Sequence, residues 1–210
     1  MTEQPNPVPD NNHASSGFGS FLLLVWDFLK IVLFALVIIV SIRYFIFQPF
    51  IVSGSSMEPN FSNNQYLVVD EISYHLGSPQ RGDVVVLHYP KDESQFFIKR
   101  VIGLPGEKVE IDNGKVTIIN AEHPQGFVLD ETYLPSQGLT YPHDPSIVGG
   151  QNILTLGSDE YFMLGDNRLA SSDSRDWGVL KRSEMVGKVF LRVLPVSDLK
   201  VYAKAPAYGL

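Results

Sequence analysis

Two residues and one crowded loop of this chain have the types and spacing to do chemistry. Ser56 stands in SGSSMEP, behind Gly54, which lets the backbone approach closely, and ahead of Met57-Glu58-Pro59, a turn able to present a hydroxyl and its own amide to a carbonyl. A serine hydroxyl is a poor nucleophile until a base takes its proton, and a lysine is one of the recurrent bases. Lys99 lies in QFFIKRVIG, where a two-residue period puts it on one face with Phe97 and Val101, and Arg100 on the other with Ile98 and Ile102. At least one cation must then lie against apolar neighbours. Burial disfavours an ammonium and lowers its pKa, which would make Lys99 a general base near neutral pH; a guanidinium has no such escape. A polar loop at SGSSMEP and a solvated or edge-facing Lys99 fit the same residues. The third stretch, GDNRLASSDSRDWG from Gly165 to Gly178, crowds Asp166, Arg168, Asp173, Arg175 and Asp176 with Ser171, Ser172 and Ser174 directly after an apolar strand. That density exceeds what a hairpin requires, although a surface turn held by salt bridges would also use it.

These residues need a scaffold, and 210 residues at 44% hydrophobic suffice for one membrane anchor and one globular domain with a core. A net charge of -7 argues against nucleic acid as the main partner, because phosphate binding needs a basic face. The absence of cysteine excludes disulfides, thiolate catalysis and cysteine-ligated zinc.

Residues 1–20 mix Pro, Asn, Ser and Gly with almost no apolar pattern and read as a disordered tail. Residues 21–47, FLLLVWDFLKIVLFALVIIVSIRYFIF, predict a transmembrane helix with its apolar centre at Ile31 to Ile42, long enough at about 40 Å to span a bilayer with tilt. Asp27 and Lys30 fall on one helical face and can pair, while Lys30 and Arg43 can snorkel to opposite headgroup layers. No Lys or Arg precedes the run, as a cleaved secretory signal would require, and the same lack leaves orientation unreadable from charge.

Beyond the anchor come short β-type runs: YLVVDEISY from Tyr66, DVVVLHY from Asp83, QFFIKRVIG, KVEI and KVTII about Asn113-Gly114, EYFML from Glu160 and MVGKVFLRVL from Met185. Asn-Gly between two such runs is a strong hairpin signal, and the whole predicts a mostly antiparallel β domain. The expected core covers 48–120 and 159–200, with the Pro- and Gly-rich stretch 121–158 as an inserted loop or small subdomain.

SGSSMEP, RGDVVVL, FIKRVIGLPGEKVEI and GDNRLASSDSRDWG, in this order behind one N-terminal apolar segment, resemble the successive motif boxes of the bacterial type I signal peptidases. The resemblance covers Trp26 to about Leu194. It implies a mainly β catalytic domain of two antiparallel sheets behind one transmembrane helix. It also implies a serine endopeptidase that removes signal peptides from exported preproteins, cutting after small residues in an Ala-x-Ala pattern. Ser56 matches the nucleophile, Lys99 the general base, and Ser171 the serine that bonds and orients that lysine. Asp173 and Arg175 match a supporting ion pair, and Asp166 belongs to the same box. Phe50, Val52 and Ile98 match apolar positions lining the pockets for small side chains. No metal or cofactor is implied.

The implied partners are signal peptides, the lipid bilayer and the secretion translocase, with no nucleic acid. The implied location is the bacterial cytoplasmic membrane, N-terminus inside and catalytic domain outside. Ser56 lies nine positions after Phe47, a reach of at most ~30 Å, so the site is expected near the bilayer surface. Members from Gram-negative bacteria often carry a serine two residues before the nucleophile, as a hydroxyl donor to the oxyanion. Here that residue is Gly54, so the amide of Ser56 is left as the main donor, with Ser53 and Ser55 the nearest substitutes.

Two other classes compete. A Ser/His/Asp hydrolase could draw on five histidines, of which only His75 and His88 lie in the strand-rich part; His13 is in the tail, and His123 and His143 are in the insertion. A catalytically inactive, membrane-anchored β module for binding or scaffolding would need none of Ser56, Lys99 and Ser171.

Overall fold

The computed structural model describes residues 16–45, 47–135, 138–144, 153–202 and 208. Residues 1–15 of the expected tail, with His13, lie outside the described residues, as do 136–137 and 145–152 of the expected insertion and the side chains of Arg43 and His75.

One helix, α1 (Ser16–Phe45), carries the apolar run. Its segment Gly19–Ile39, with a mean hydropathy of 2.7, is long and apolar enough to cross a membrane. The expected Asp27–Lys30 pair forms at 2.7 Å. The helix differs from the expected 21–47 at both ends. No proline stands between Pro9 and Pro49, so nothing breaks it before Ser16, whereas Pro49 biases the preceding residues to extended backbone and Phe47 enters a strand.

Phe45–Leu210 forms a separate compact unit. Its larger sheet contains β1 (Phe47–Ile51), β2 (Tyr66–Asp70), β3 (Val84–Tyr89), β4 (Asp92–Gly103), β9 (Glu160–Leu164), β10 (Leu180–Lys181), β11 (Met185–Leu194) and β12 (Lys200–Val201). The order is β1-β2-β11-β3-β4-β9-β10, with β12 on β11, and the pairings are antiparallel. The smaller sheet, in the order β7-β6-β5-β8, holds β5 (Lys108–Asp112), β6 (Lys115–Ile119), β7 (Phe127–Val128) and β8 (Ile153–Thr155). This is the expected mainly β, two-sheet antiparallel fold. Pro49 is tolerated because β1 is an edge strand. Asn113 and Gly114 both take positive φ, 50° and 77°, as a two-residue primed hairpin demands, and Asp112 pairs Lys115 across it.

The two sheets meet on a core of Ile102, Val109, Ile111, Val116, Ile118, Leu156, Phe162 and Leu164. A Cβ on Gly103 would stand 2.6 Å from Val109 and 2.7 Å from Leu156, so a glycine there lets the sheets close. The expected boundary at 120/121 runs through the smaller sheet, because Phe127 and Leu154, from beyond it, pack on this same core. One run departs from its strand reading: YLVVDEISY is β2 only to Asp70, followed by a short helix, α2 (Ile72–Leu76). Asp70 accepts from the amide and hydroxyl of Ser73, an Asx-type turn that ends the strand, and Tyr74 turns inward to donate to Asp83.

Candidate active site

Ser56 sits in the loop after β1, which buried Met57 and Phe61 pin into the core. Val52 and Gln65 close the base of this loop through Val52 N–H to Gln65 O at 2.9 Å, and Asn63 accepts from Gly54 N–H at 2.9 Å. Gly54 has φ +92° with open space where a side chain would be, so its backbone conformation, not crowding, favours glycine. Lys99 reaches the loop from the middle of β4. Its Nζ lies 2.8 Å from Ser56 Oγ and donates to Ile98 O at 3.0 Å.

Both cations of QFFIKRVIG are buried, Lys99 to 3% and Arg100 to 6% exposure, and they meet that burial in different ways. Arg100 gains a carboxylate: Asp166 accepts from its Nε at 2.8 Å and its Nη2 at 2.6 Å, while Gly82 O accepts from Nη1. Among the described residues no carboxylate pairs directly with Lys99. Burial is the largest influence on it and lowers its pKa to about 8, against the smaller upward pull of Asp173 and Asp166. That pull is limited because each carboxylate has its own guanidinium partner, Arg175 for Asp173 and Arg100 for Asp166.

The GDNRLASSDSRDWG loop supplies the other wall. Asp173 caps a short helix, α3 (Ser174–Trp177), and holds Arg175 through two bonds of 2.8 Å. Burial pushes the Asp173 carboxyl up, but the bonds and charge of Arg175 and the Gly165 amide outweigh it and hold the group below the usual carboxylate range. Ser171 is buried beside them. Its hydroxyl helps keep Asp173 low yet has no hydrogen-bond partner in good geometry, so the bond to Lys99 implied by the resemblance is not formed. It packs instead on Gly165, where an added Cβ would stand 2.1 Å from Ser171 Oγ.

Phe50, Val52 and Ile98 line one cavity of about 410 Å³ together with Ser56 and Lys99, walled further by Leu67, Val86, Phe96 and Phe97. Among the described residues no histidine lines it. His88 lies on β3, its ring tilted against Phe96 and its Nδ1 2.8 Å from Glu93 O. Among the described residues no cluster of three or more His, Asp and Glu could hold a metal.

Three residues of the site carry no signal in the one-dimensional pattern. Asn60 donates to Asp166 and to Tyr133 O, both at 2.9 Å. Asn167 donates to Ser55 O and Ser56 O. Glu131, from the expected insertion, pairs with buried Arg168, whose Nε donates to Gly165 O at 3.0 Å. A near-buried arginine in a loop is the one clue that an acid had to come from elsewhere.

Because Arg100 is desolvated, Asp166→Ala should cost about 3 kcal/mol or more by stranding its charge. Replacing both partners, Arg100→Met with Asp166→Leu, should cost less. Unfolding midpoints in mild detergent check this, and equal losses from the single and double changes would mean that Arg100 is solvated.

The sequence profile of the family described as signal peptidase, peptidase S26, matches residues 25–194. The chain is 34% identical over 172 residues to the probable signal peptidase I-2 of Synechocystis, covering 80% of this chain and 72% of that one. It is 32% identical over 176 residues to signal peptidase I P of Bacillus subtilis subsp. natto, covering 83% of this chain and 91% of that one. A crystal structure of a signal peptidase I from Enterococcus faecalis is similar at 32% identity over 53% of this chain and 97% of that one, with a TM-score of 0.41.

Proposed function

The chain belongs to the signal peptidase family, peptidase S26, and we propose that within it Ser56 and Lys99 form the catalytic dyad of a membrane-anchored serine endopeptidase that cuts preproteins after small residues. The observation that carries this reading is the 2.8 Å approach of Ser56 Oγ to a buried amine whose charge burial disfavours. Neutral Lys99 directs one N–H to Ile98 O and keeps its lone pair for the serine proton. As Oγ attacks the scissile carbonyl, that proton passes to Nζ, and the Ser56 amide stabilises the oxyanion. The resulting ammonium returns the proton to the leaving amine. Water then attacks the acyl-enzyme, with Lys99 again as base.

Substrate selection follows from the cavity. β1 is an edge strand whose outer main-chain groups can pair with an extended peptide, and Phe50, Val52 and Ile98 face the same cavity as the nucleophile. Apolar walls this close to Ser56 accept a methyl and exclude larger side chains. α1 would hold the enzyme in the same membrane as its substrate, supplying effective concentration and no chemistry. Preproteins, the bilayer and the secretion translocase are the partners of this reading, with the catalytic domain on the outer side of the cytoplasmic membrane.

The test is incubation of the detergent-solubilised full chain with a preprotein, followed by N-terminal sequencing of the product. Cleavage after a small residue is expected, and a substrate with Leu in place of Ala before the cut should be processed at least ~10-fold more slowly. Failure to cut any preprotein would leave the inactive binding module as the better account.

A further inference from the structure

An oxyanion donor is useful only if it already points where charge will develop, and the Ser56 amide has no rigid element of its own to aim it, since it lies in a loop. The orientation of that N–H is set by the carbonyl on the same peptide. The Ser55–Ser56 bond is trans and planar, so the Ser55 oxygen and the Ser56 hydrogen point in opposite directions from one plane, and holding the first aims the second. Ser55 O accepts two bonds, from Asn167 Nδ2 at 3.1 Å and from Glu58 N–H at 3.1 Å. The next peptide is held by the same residue: Asn167 N–H donates to Ser56 O at 3.0 Å. Asn167 thus grips the peptides on both sides of the serine Cα from 111 residues further along the chain. Accepting these bonds also polarises the Ser55–Ser56 peptide and makes its N–H a stronger donor.

We propose that Asn167 is a positioning residue that aims the Ser56 amide at the oxyanion, an inference that rests on Ser56 being the nucleophile. The side-chain amide is the part that matters, since the backbone bond to Ser56 O is open to any residue. Gly54 sharpens the need: with no side-chain hydroxyl two residues before the nucleophile, the backbone donor carries more of the developing charge. Losing its aim should act on the transition state and leave binding of the ground-state peptide in the cavity unchanged.

The experiment compares Asn167→Leu, which keeps the volume without the donor, and Asn167→Asp, which puts an acceptor against Ser55 O, with the unaltered full chain in detergent. A drop in kcat of about 10-fold or more for Asn167→Leu, with KM, the acidic limb of the pH profile and the melting temperature unchanged, is expected. Asn167→Asp should lose more. Backbone exchange in the segment 52–58, followed by mass spectrometry, should quicken in both variants. A kcat within twofold of wild type, a loss confined to KM, or unchanged exchange would each overturn the proposal. Ser56→Ala run in the same assay separates the two ideas: if it still cuts, Ser56 is not the nucleophile, while the exchange measurement continues to report whether Asn167 fixes the loop.

Discussion

Replacing Ser56 or Lys99 by Ala is expected to abolish turnover, each change alone costing about 10³-fold or more in kcat and the two together no more than either one, because both act in a single proton transfer. The β domain should stay folded. The proton on Lys99 makes the prediction sharper. With its pKa lowered by burial to about 8, only the deprotonated minority works at pH 7, so kcat/KM should rise with pH through an acidic limb near that value and then level off. Lys99→Arg should be inactive at every pH, since guanidinium stays charged. Removing Arg175 would free the Asp173 carboxylate to act on the amine and should move the limb upward. The same titration touches stability. Between about 8 and the ordinary lysine value of 10.5 the unfolded chain binds more protons than the folded one, so this group favours folding increasingly as pH rises through that window. Substantial activity in Lys99→Ala, or a limb near 10 in the wild type, would dispose of the dyad.

The second large effect belongs to a residue with no functional group. Gly165→Ala would place a Cβ 2.5 Å from Ser56 O and 2.1 Å from Ser171 Oγ, distances at which something must move. Rotation of Ser171 would move its Oγ but not its Cβ, which stands 2.5 Å from the added methyl. Ser56 O is backbone, already held by the Asn167 amide, so relief requires the two loops to part and carries Oγ away from Nζ. A loss of about 10²-fold in kcat is expected, since misplacement on this scale is enough. Adding Ser171→Ala should not restore the rate, because it removes only the Oγ contact and leaves those with the Cβ of residue 171 and with Ser56 O, both at 2.5 Å. Wild-type turnover in Gly165→Ala would mean that the loops are not in register as described.

The parts of this site legible in the sequence are those whose signal is local. Period-two alternation placed Lys99 and Arg100 on opposite faces of one strand, and the structure buries both. Asn113-Gly114 marked its hairpin because few residue pairs accept two positive φ values. What stayed hidden depends on partners distant in the chain. Glu131 gives no hint that it will meet Arg168, and YLVVDEISY reads as strand until Asp70 is seen to bond Ser73. Nor could strand patterns place β11 between β2 and β3, because alternation shows which face of a strand is buried and not which strands lie beside it. The bond from Ser171 to Lys99 came only from family resemblance, and the folded chain forms a different contact.

That placement of β11 bears on when the chain becomes competent. The strands flanking Ser56, β1 and β2, and the strands carrying and backing Lys99, β4 and β3, are neighbours in sequence, yet in the larger sheet they are joined through Met185–Leu194. The two halves of the proposed dyad are therefore made early and joined late. A nascent chain stopped before Met185 contains Ser56, Lys99 and the whole Gly165–Gly178 loop, but not the strand that brings β2 and β3 into one sheet. Non-local strand pairing of this kind is slow, since the loop-closure entropy is lost before the contacts form. Completion of the larger sheet around Ser56 and Lys99 therefore waits on synthesis of β11, which follows both residues in the chain by more than 80 positions.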